Sequence, residues 1–97
     1  MRVIFHPEAH TDMVEHARYY EAKSEGLGSD CLAAVEEATQ RIEQSPKAGP
    51  IVRASIRKRL ISGFPFNVLY EIQPDRIYIA AVMHQHRRPG YWLKRVK

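Results

Sequence analysis

The spacing of apolar residues changes halfway along the chain, and this change restricts the fold more than any other feature. From residue 7 to residue 45 the apolar side chains recur every three or four positions, which is the repeat of an α-helix. From residue 56 to residue 84 they alternate with polar side chains or form a short continuous run, which is typical of β-strands. Helices followed by strands predict an α+β domain.

The first half predicts a strand and a long helix. Arg2–Phe5 is a short β-like run, and Pro7 and Glu8 suit the first turn of a helix that follows at once. Glycines 26 and 28 are expected to stop that helix. Its apolar stripe consists of Ala9, Met13, Ala17 and Tyr20, with Val14 beside it.

A second helix is predicted directly after the first. Ser29 and Asp30 are the expected N-terminal cap, and the helix is expected to end before Ser45–Pro46, because the residue before a proline resists the helical conformation. The two helices therefore predict a helical hairpin. The apolar stripe of the second helix consists of Leu32, Val35, Ala38, Thr39 and Ile42.

Three strands are predicted in the second half. The first alternates Ile56, Lys58 and Leu60 with Arg57, Arg59 and Ile61. The second places Phe66, Val68, Tyr70 and Ile72 on one face. After a turn at Gln73–Pro74–Asp75, the run from Ile77 to His84 is apolar on both faces and predicts a central strand.

These elements predict a β-α-α-β-β-β order, with the helical hairpin packed on a small, mainly antiparallel sheet. A chain of 97 residues buries enough surface for one core, so residues 1–97 are expected to form a single domain. The pattern leaves open which edge of the three-stranded meander the first strand joins.

Charge is divided unequally along the chain. Residues 1–45 contain four Lys or Arg against nine Asp or Glu, a net charge of −5, whereas residues 46–97 contain eleven against two, a net charge of +9. Such asymmetry predicts a one-sided electrostatic surface for a polyanion or an acidic protein partner. Both predicted helices lie in the acidic half, which argues against a basic recognition helix for DNA.

The apolar runs, the single cysteine and the histidines of the chain bear on its compartment and its cofactors. Its longest uncharged apolar run, Ile77–Met83, is too short to cross a bilayer, and nothing before Val3 resembles a signal peptide. The single cysteine, Cys31, excludes an internal disulfide, so we expect a cytoplasmic protein without a membrane anchor. The histidines lack an accompanying cysteine set, so we expect no zinc site and no cofactor.

Three stretches carry a family resemblance. They are Arg59-Leu60-Ile61, then Phe64-Pro65-x-x-Val68-Leu69-Tyr70-Glu71-Ile72, and finally His84-x-x-Arg87-x-Pro89-x-Tyr91-Trp92. In this order and on this fold they resemble the RelE/ParE superfamily of toxins from type II toxin–antitoxin pairs, of the ParE-like, plasmid-stabilisation kind, from Val3 to Trp92. The resemblance implies a growth inhibitor that a cognate antitoxin neutralises, with DNA contacted only through the antitoxin.

Members of the superfamily have one of two activities, and three positions of this sequence bear on the choice between them. RelE-like members cut messenger RNA in the ribosome without a metal, and their pattern commonly has two arginines and a C-terminal Tyr or His. Those positions hold Asn67, His86 and Trp92 here. Asparagine carries no charge and tryptophan cannot exchange protons with a substrate, so these residues count against an endoribonuclease. The best remaining acid–base candidates are His84 and His86, with Arg87 beside them.

ParE-like members are described as inhibitors of DNA gyrase, which act by binding and need no proton-transfer set. The candidate residues for binding the target or the antitoxin are Arg57, Lys58, Arg59, Arg87, Arg88, Tyr91 and Trp92. Tyr91 and Trp92 have an alternative role, which is to pin the C-terminal tail against the sheet. The antitoxin is expected to present acidic residues opposite Arg57, Arg59 and Arg87. A third alternative is an inactive, basic binding module of the same fold.

Overall fold

The computed structural model describes residues 1–88 and 90–96, so Pro89 of the C-terminal motif lies outside the described residues. In chain order the elements are β1 (Arg2–Phe5), α1 (Pro7–Lys23), α2 (Leu27–Gln44), β2 (Ile51–Arg53), β3 (Ile56–Leu60), β4 (Phe66–Ile72), β5 (Arg76–His84) and a C-terminal 3₁₀ helix (Leu93–Val96). The α+β class, the helical hairpin and the three principal strands of the meander are confirmed.

The five strands form one sheet in the order β1-β5-β4-β3-β2. β1 runs parallel to β5, and every other neighbouring pair is antiparallel. The sequence left open which edge of the meander the first strand joins, and the structure places it beside β5. The short edge strand β2 was not predicted, because three residues between Pro50 and Ala54 are too few to produce a recognisable alternation.

A β-bulge in β5 keeps its apolar residues on the helix side of the sheet. Leu69 pairs with Ala81 whereas Tyr70 pairs with Ile79, so Ala80 is an extra residue on β5. As a result, Ile79 and Val82 both reach the core beneath the helices although they are three positions apart. A strictly alternating strand would have turned one of them to the opposite face.

Both helices cover the same face of the sheet and enclose the main core. That core contains Ala9, Ala17, Cys31, Val35, Ala38, Ile42, Ile61, Phe66, Val68, Tyr70, Ile77, Ile79 and Val82. Leu32 does not belong to it, contrary to the predicted stripe, because its side chain is 40% exposed. The buried face of α2 is centred on Cys31 and Val35, and Leu32 lies about 100° around the helix from Cys31.

The connection between the helices differs from the predicted one. α2 begins at Leu27 and is capped by Gly26, whose φ of 87° favours glycine. The Glu21 carboxylate of α1 accepts hydrogen bonds from the N–H groups of Gly26 (3.1 Å) and Gly28 (2.9 Å). The expected cap at Ser29 and Asp30 was therefore wrong, since a carboxylate from the other helix satisfies those donors.

Gly28 lies inside α2, so it does not stop a helix as the sequence suggested. It is buried against α1, and a Cβ atom placed on it would lie 2.6 Å from the carbonyl oxygen of Ala17. Because that oxygen belongs to the backbone of α1, a side chain here would force the helices apart.

A smaller second core lies on the face of the sheet opposite α1 and α2, which we call the open face. Ile56, Leu69, Ala81 and Trp92 are its buried members. The residues that follow β5 fold back over part of this face, and the rest of it carries the groove described below. Among residues 1–88 and 90–96, no helix is long and apolar enough to span a membrane.

Replacing Gly28 by alanine tests the close approach of the helices. We expect Gly28→Ala to lower the free energy of unfolding by about 1–3 kcal/mol, since a methyl group there meets backbone atoms. Chemical denaturation gives the measurement, and Ser29→Ala at the next, exposed position of α2 is the matched control, with a change of about 0.5 kcal/mol or less. Equal losses in the two variants would contradict this packing.

Candidate functional site

The open face carries a groove of about 650 Å³, which we call the open-face groove. Strands β2 to β5 contribute to its lining, as does the segment after β5. Its apolar lining includes Leu60, Leu69, Met83 and Trp92, and the cations of its described lining are Arg53 and Lys58. A cavity of this size falls within the range of ligand-binding sites in proteins.

Alternation along the strands builds the floor of the groove. Leu60 of β3 pairs with Asn67 of β4, which in turn pairs with Met83 of β5, so these three side chains form one row across the sheet. In the next row Lys58 pairs with Leu69. Leu60 is 58% exposed, an unusual exposure for a leucine in a strand, whereas Asn67 is buried.

Trp92 forms one wall of the groove. Only 4% of its surface is exposed, because its ring packs against Leu69 and Ala81 in the second core. The interpretation in which the aromatic residues pin the tail is therefore confirmed for Trp92. The position of Trp92 depends on contacts that hold the C-terminal segment against α1.

The Asp12 carboxylate holds that segment. Its Oδ2 atom accepts hydrogen bonds from Arg95 Nη1 at 2.7 Å, from the Tyr91 hydroxyl at 3.2 Å and from the Val82 N–H at 3.2 Å. Arg95 Nη2 donates to the other carboxylate oxygen at 3.3 Å. The side chains of Asp12 and Arg95 are 14% and 9% exposed, so this is a largely buried ion pair that joins α1 to the C-terminus.

Tyr91 lies between two cations beside this carboxylate. The Arg87 guanidinium carbon is 4.2 Å from the centre of the Tyr91 ring, and that of Arg95 is 5.0 Å from it. Burial, and secondarily the negative charge of Asp12, raise the pKa of Tyr91 to about 12. Tyr91 is thus a neutral hydrogen-bond donor at physiological pH, and its hydroxyl is already occupied.

Asp12 and His16 also supply hydrogen-bond partners to an open edge of β5. β1 pairs with β5 only as far as Ile79, which leaves the next backbone groups of β5 without a neighbouring strand. His16 Nε2 donates to the carbonyl of Val82 at 2.7 Å, and Asp12 accepts from the N–H of the same residue. Because Asp12 and His16 are four residues apart on α1, both reach this edge from one side of the helix.

The predicted cations do not form a single surface. Arg57 and Arg59 point to the helix side of the sheet, whereas Lys58 lines the open-face groove. Arg57 Nη1 donates to the carbonyl oxygens of Lys47 (3.1 Å) and Gly49 (2.8 Å), so its guanidinium is held against the loop that precedes β2. Arg87 is exposed beside Tyr91, and Arg88 is exposed as well.

The two candidate catalytic histidines lie together but outside the groove. The ring centres of His84 and His86 are 5.5 Å apart, and His84 Nδ1 accepts a hydrogen bond from the backbone N–H of His86 at 3.0 Å. His84 instead contributes to a smaller cavity of about 360 Å³ on the helix side, where it packs edge-on against Phe66. His16 stacks on the same phenylalanine ring with a centroid distance of 4.0 Å.

The family is decided by a sequence comparison over nearly the whole chain. The sequence model of the ParE toxin of the type II toxin–antitoxin system parDE matches residues 3–89. The chain belongs to the ParE toxin family. A comparison with curated proteins finds no significant match.

The fold of this ParE-family chain is similar to that of a chain in a solved structure. That structure is described as the chromosomal ParDE TA system from P. aeruginosa. The superposition has a TM-score of 0.75 and covers 87% of this chain and 95% of the other, at 16% sequence identity. The likeness at this identity concerns the fold, and it agrees with the predicted RelE/ParE-like architecture.

The resemblance implied a departure from the RNA-cleaving pattern at three positions of the ParE-family chain, and these positions lie apart in the structure. Asn67 lies in the floor of the open-face groove and Trp92 in its wall, whereas His86 is exposed beyond the end of β5. Asparagine offers the groove a neutral amide, and tryptophan offers an apolar ring with one N–H donor. Neither can act as a general base at the groove.

Several residues of the groove were not found from the sequence. Arg53 belongs to the unpredicted strand β2, and Leu60 and Met83 were assigned to strands without a functional role. Asp12 was also missed, although a carboxylate beside the apolar stripe of α1 was a usable signal. Within the described part of the chain, no group of three His, Cys, Asp or Glu side chains could hold a metal ion.

Asp12 and Glu8 provide a matched test of the C-terminal attachment, because both contact Arg95. We expect Asp12→Asn to lower the free energy of unfolding by about 3 kcal/mol, since it leaves the buried Arg95 guanidinium without its counter-charge. Glu8→Gln should change it by about 0.5 kcal/mol or less, because Glu8 is 66% exposed and its contact with Arg95 is 3.5 Å long. Urea denaturation followed by Trp92 fluorescence measures both, and similar losses would contradict the assigned role of Asp12.

Proposed function

We propose that this chain is a growth-inhibiting toxin that acts by binding DNA gyrase, and that a cognate antitoxin neutralises it. Membership of the ParE family supports the toxin role. Gyrase is the target that the ParE-like resemblance implies. One observation carries the choice of binding over catalysis: the described lining of the open-face groove joins an apolar floor to two cations and contains no His, Tyr, Asp or Glu.

The chemistry of RNA cleavage explains why this lining favours binding. In-line attack by a 2′-hydroxyl requires a general base, an acid for the leaving oxygen and cations around the phosphorane. Arg53 and Lys58 could supply charge, and Lys58 is the one side chain of the described lining that could also exchange a proton. Asn67 and Trp92 cannot, so the described lining offers no second group to complete an acid–base pair. Binding to a protein, by contrast, requires an apolar patch with charges at its margin, which the groove offers.

The antitoxin belongs to the same proposal. The solved relative is described as a ParDE TA system, and by analogy we expect this toxin to pair with an antitoxin protein of its own. The proposed toxin domain comprises residues 1–97. Since gyrase and chromosomal DNA are cytoplasmic in bacteria, the proposed site of action is the cytoplasm.

Induction of the chain without its antitoxin in bacterial cells tests the target. Incorporation of labelled thymidine and of labelled amino acid is followed over the first minutes. We expect DNA synthesis to fail first, with cells filamenting, and purified chain to inhibit supercoiling by purified gyrase. An earlier collapse of protein synthesis would overturn the proposal in favour of RelE-like, ribosome-dependent mRNA cleavage, and growth without any change would indicate an inactive binding module.

Replacing His84 and His86 in the same cells tests whether the chain acts by binding or by catalysis. The double variant His84→Ala/His86→Ala should arrest growth as strongly as the unchanged chain, because neither side chain lines the groove. Circular dichroism verifies that the variant is folded. A loss of toxicity in a folded double variant would contradict action by binding through the groove and would return His84 and His86 to a catalytic role.

A further inference from the structure

We infer that the smaller cavity on the helix side of the sheet, which we call the helix-side cavity, binds a guanidinium group carried by a small organic molecule or by an arginine side chain. Its described lining consists of Glu15, His16, Tyr19, Tyr20, Phe66 and His84. Every one of these residues except Glu15 has an aromatic ring. The cavity lies on the opposite side of the sheet from the open-face groove, so the inference goes beyond the proposed function and does not depend on it.

Ring contacts and one hydrogen bond fix the walls of the helix-side cavity. The His16 ring stacks on Phe66 at a centroid distance of 4.0 Å, and its Nε2 atom donates to the Val82 carbonyl at 2.7 Å. Tyr20 and His84 both meet the Phe66 ring nearly at right angles, with centroid distances of 5.9 and 5.3 Å. These rings are therefore arranged before a ligand arrives, which lowers the cost of ordering the site on binding.

The charges of the helix-side cavity favour a cation. Glu15 is exposed, and among the described residues it forms no ion pair. No Lys or Arg belongs to the described lining. His84 Nδ1 accepts a hydrogen bond from the His86 N–H, so this nitrogen carries no proton and the His84 ring adds no positive charge. Glu15 therefore gives the described lining a negative charge without an internal counter-charge.

Lys23 shows that a ring of this cavity already attracts a cation. Its Nζ atom lies 5.0 Å from the centre of the Tyr19 ring. Glu15, Tyr19 and Lys23 follow one another at intervals of four residues on α1, so they share one face of the helix. Glu15 and Lys23 form no ion pair with each other. The carboxylate beside the Tyr19 ring thus remains available to a ligand.

A guanidinium group suits this lining better than an ammonium group does. It is planar, stacks on aromatic rings and is more weakly hydrated than an ammonium. It also donates two parallel hydrogen bonds to a single carboxylate, here that of Glu15. The volume of about 360 Å³ lies at the lower end of the range for small-molecule sites, so an aliphatic chain attached to the group also fits against the rings.

Butylguanidinium and butylurea are the probes, because they have nearly the same shape and only the first is charged. Tyrosine ring signals in the NMR spectrum of the labelled chain report where each probe binds, at constant ionic strength. We expect butylguanidinium to shift the signals of Tyr19 and Tyr20 and to bind about tenfold more tightly than butylurea. The indole signal of Trp92, in the wall of the open-face groove, should stay unchanged.

Single variants assign the binding to the helix-side cavity. Glu15→Gln should weaken butylguanidinium about threefold, whereas Glu43→Gln, the same change at an exposed position of α2, should leave the affinity within about 1.5-fold. Tyr19→Leu should weaken it about threefold, because leucine offers no ring face. Lys23→Met should strengthen it about twofold, since the variant removes a like charge and a competing contact with Tyr19. A damaged fold cannot produce that gain.

A blocked arginine, N-acetylarginine methylamide, distinguishes the two sources of the group. Tighter binding of this compound than of butylguanidinium would identify the side chain of a polypeptide as the source, and weaker binding would identify a free small molecule. Both results support a guanidinium site.

Four results would overturn the inference. They are equal affinity for butylguanidinium and butylurea, equal effects of Glu15→Gln and Glu43→Gln, tighter binding of butyltrimethylammonium than of butylguanidinium, and a shift of Trp92 in place of Tyr19 and Tyr20. None of these assays involves growth arrest or gyrase, so their failure would leave the proposed function intact.

Discussion

The open face depends on the edge of β5 that β1 leaves unpaired. Backbone groups at this edge require partners, and Asp12, His16 and Arg95 supply them from α1 and from the C-terminal 3₁₀ helix. The same Asp12 carboxylate binds Tyr91 and Arg95, and this attachment presses Trp92 against the sheet. Because β1 is short, Asp12 bonds to the edge of β5 that β1 leaves open. The same carboxylate holds the C-terminal segment, and that segment places Trp92 as a wall of the groove.

The two faces of the sheet differ in composition, and in the proposed account one serves stability and the other recognition. On the helix side, apolar residues of α1 and α2 enclose the main core, and even Arg57 serves the fold by bonding to loop carbonyls. On the open face, Leu60 stays exposed and Arg53 and Lys58 stand at the groove without carboxylates in its described lining. The division of charge along the chain has the same origin, because the acidic half forms the helices and the basic half forms the strands of the groove.

Local periodicity predicted the elements, but distant contacts determined the site. The apolar stripes of the helices and the alternation in β3 and β4 depend on neighbours within a few residues, so they could be predicted from the sequence. Asp12 meets Arg95 across 83 positions of the chain, and no local pattern reports such a contact. For the same reason the sequence could not decide whether Trp92 contacts a partner or pins the tail, and the structure shows it buried. The bulge at Ala80 interrupts the two-residue repeat of β5, so the alternation of side chains did not reveal it.

The central claim is that the open-face groove is the surface through which the chain binds gyrase. Its most direct test is photo-crosslinking in growing cells, with a photoreactive amino acid in place of the exposed Leu60 and, as control, in place of Arg18 on α1. The account predicts that position 60 captures a gyrase subunit and position 18 does not. Capture of ribosomal RNA or ribosomal protein from position 60, or equal capture of gyrase from both positions, would contradict it.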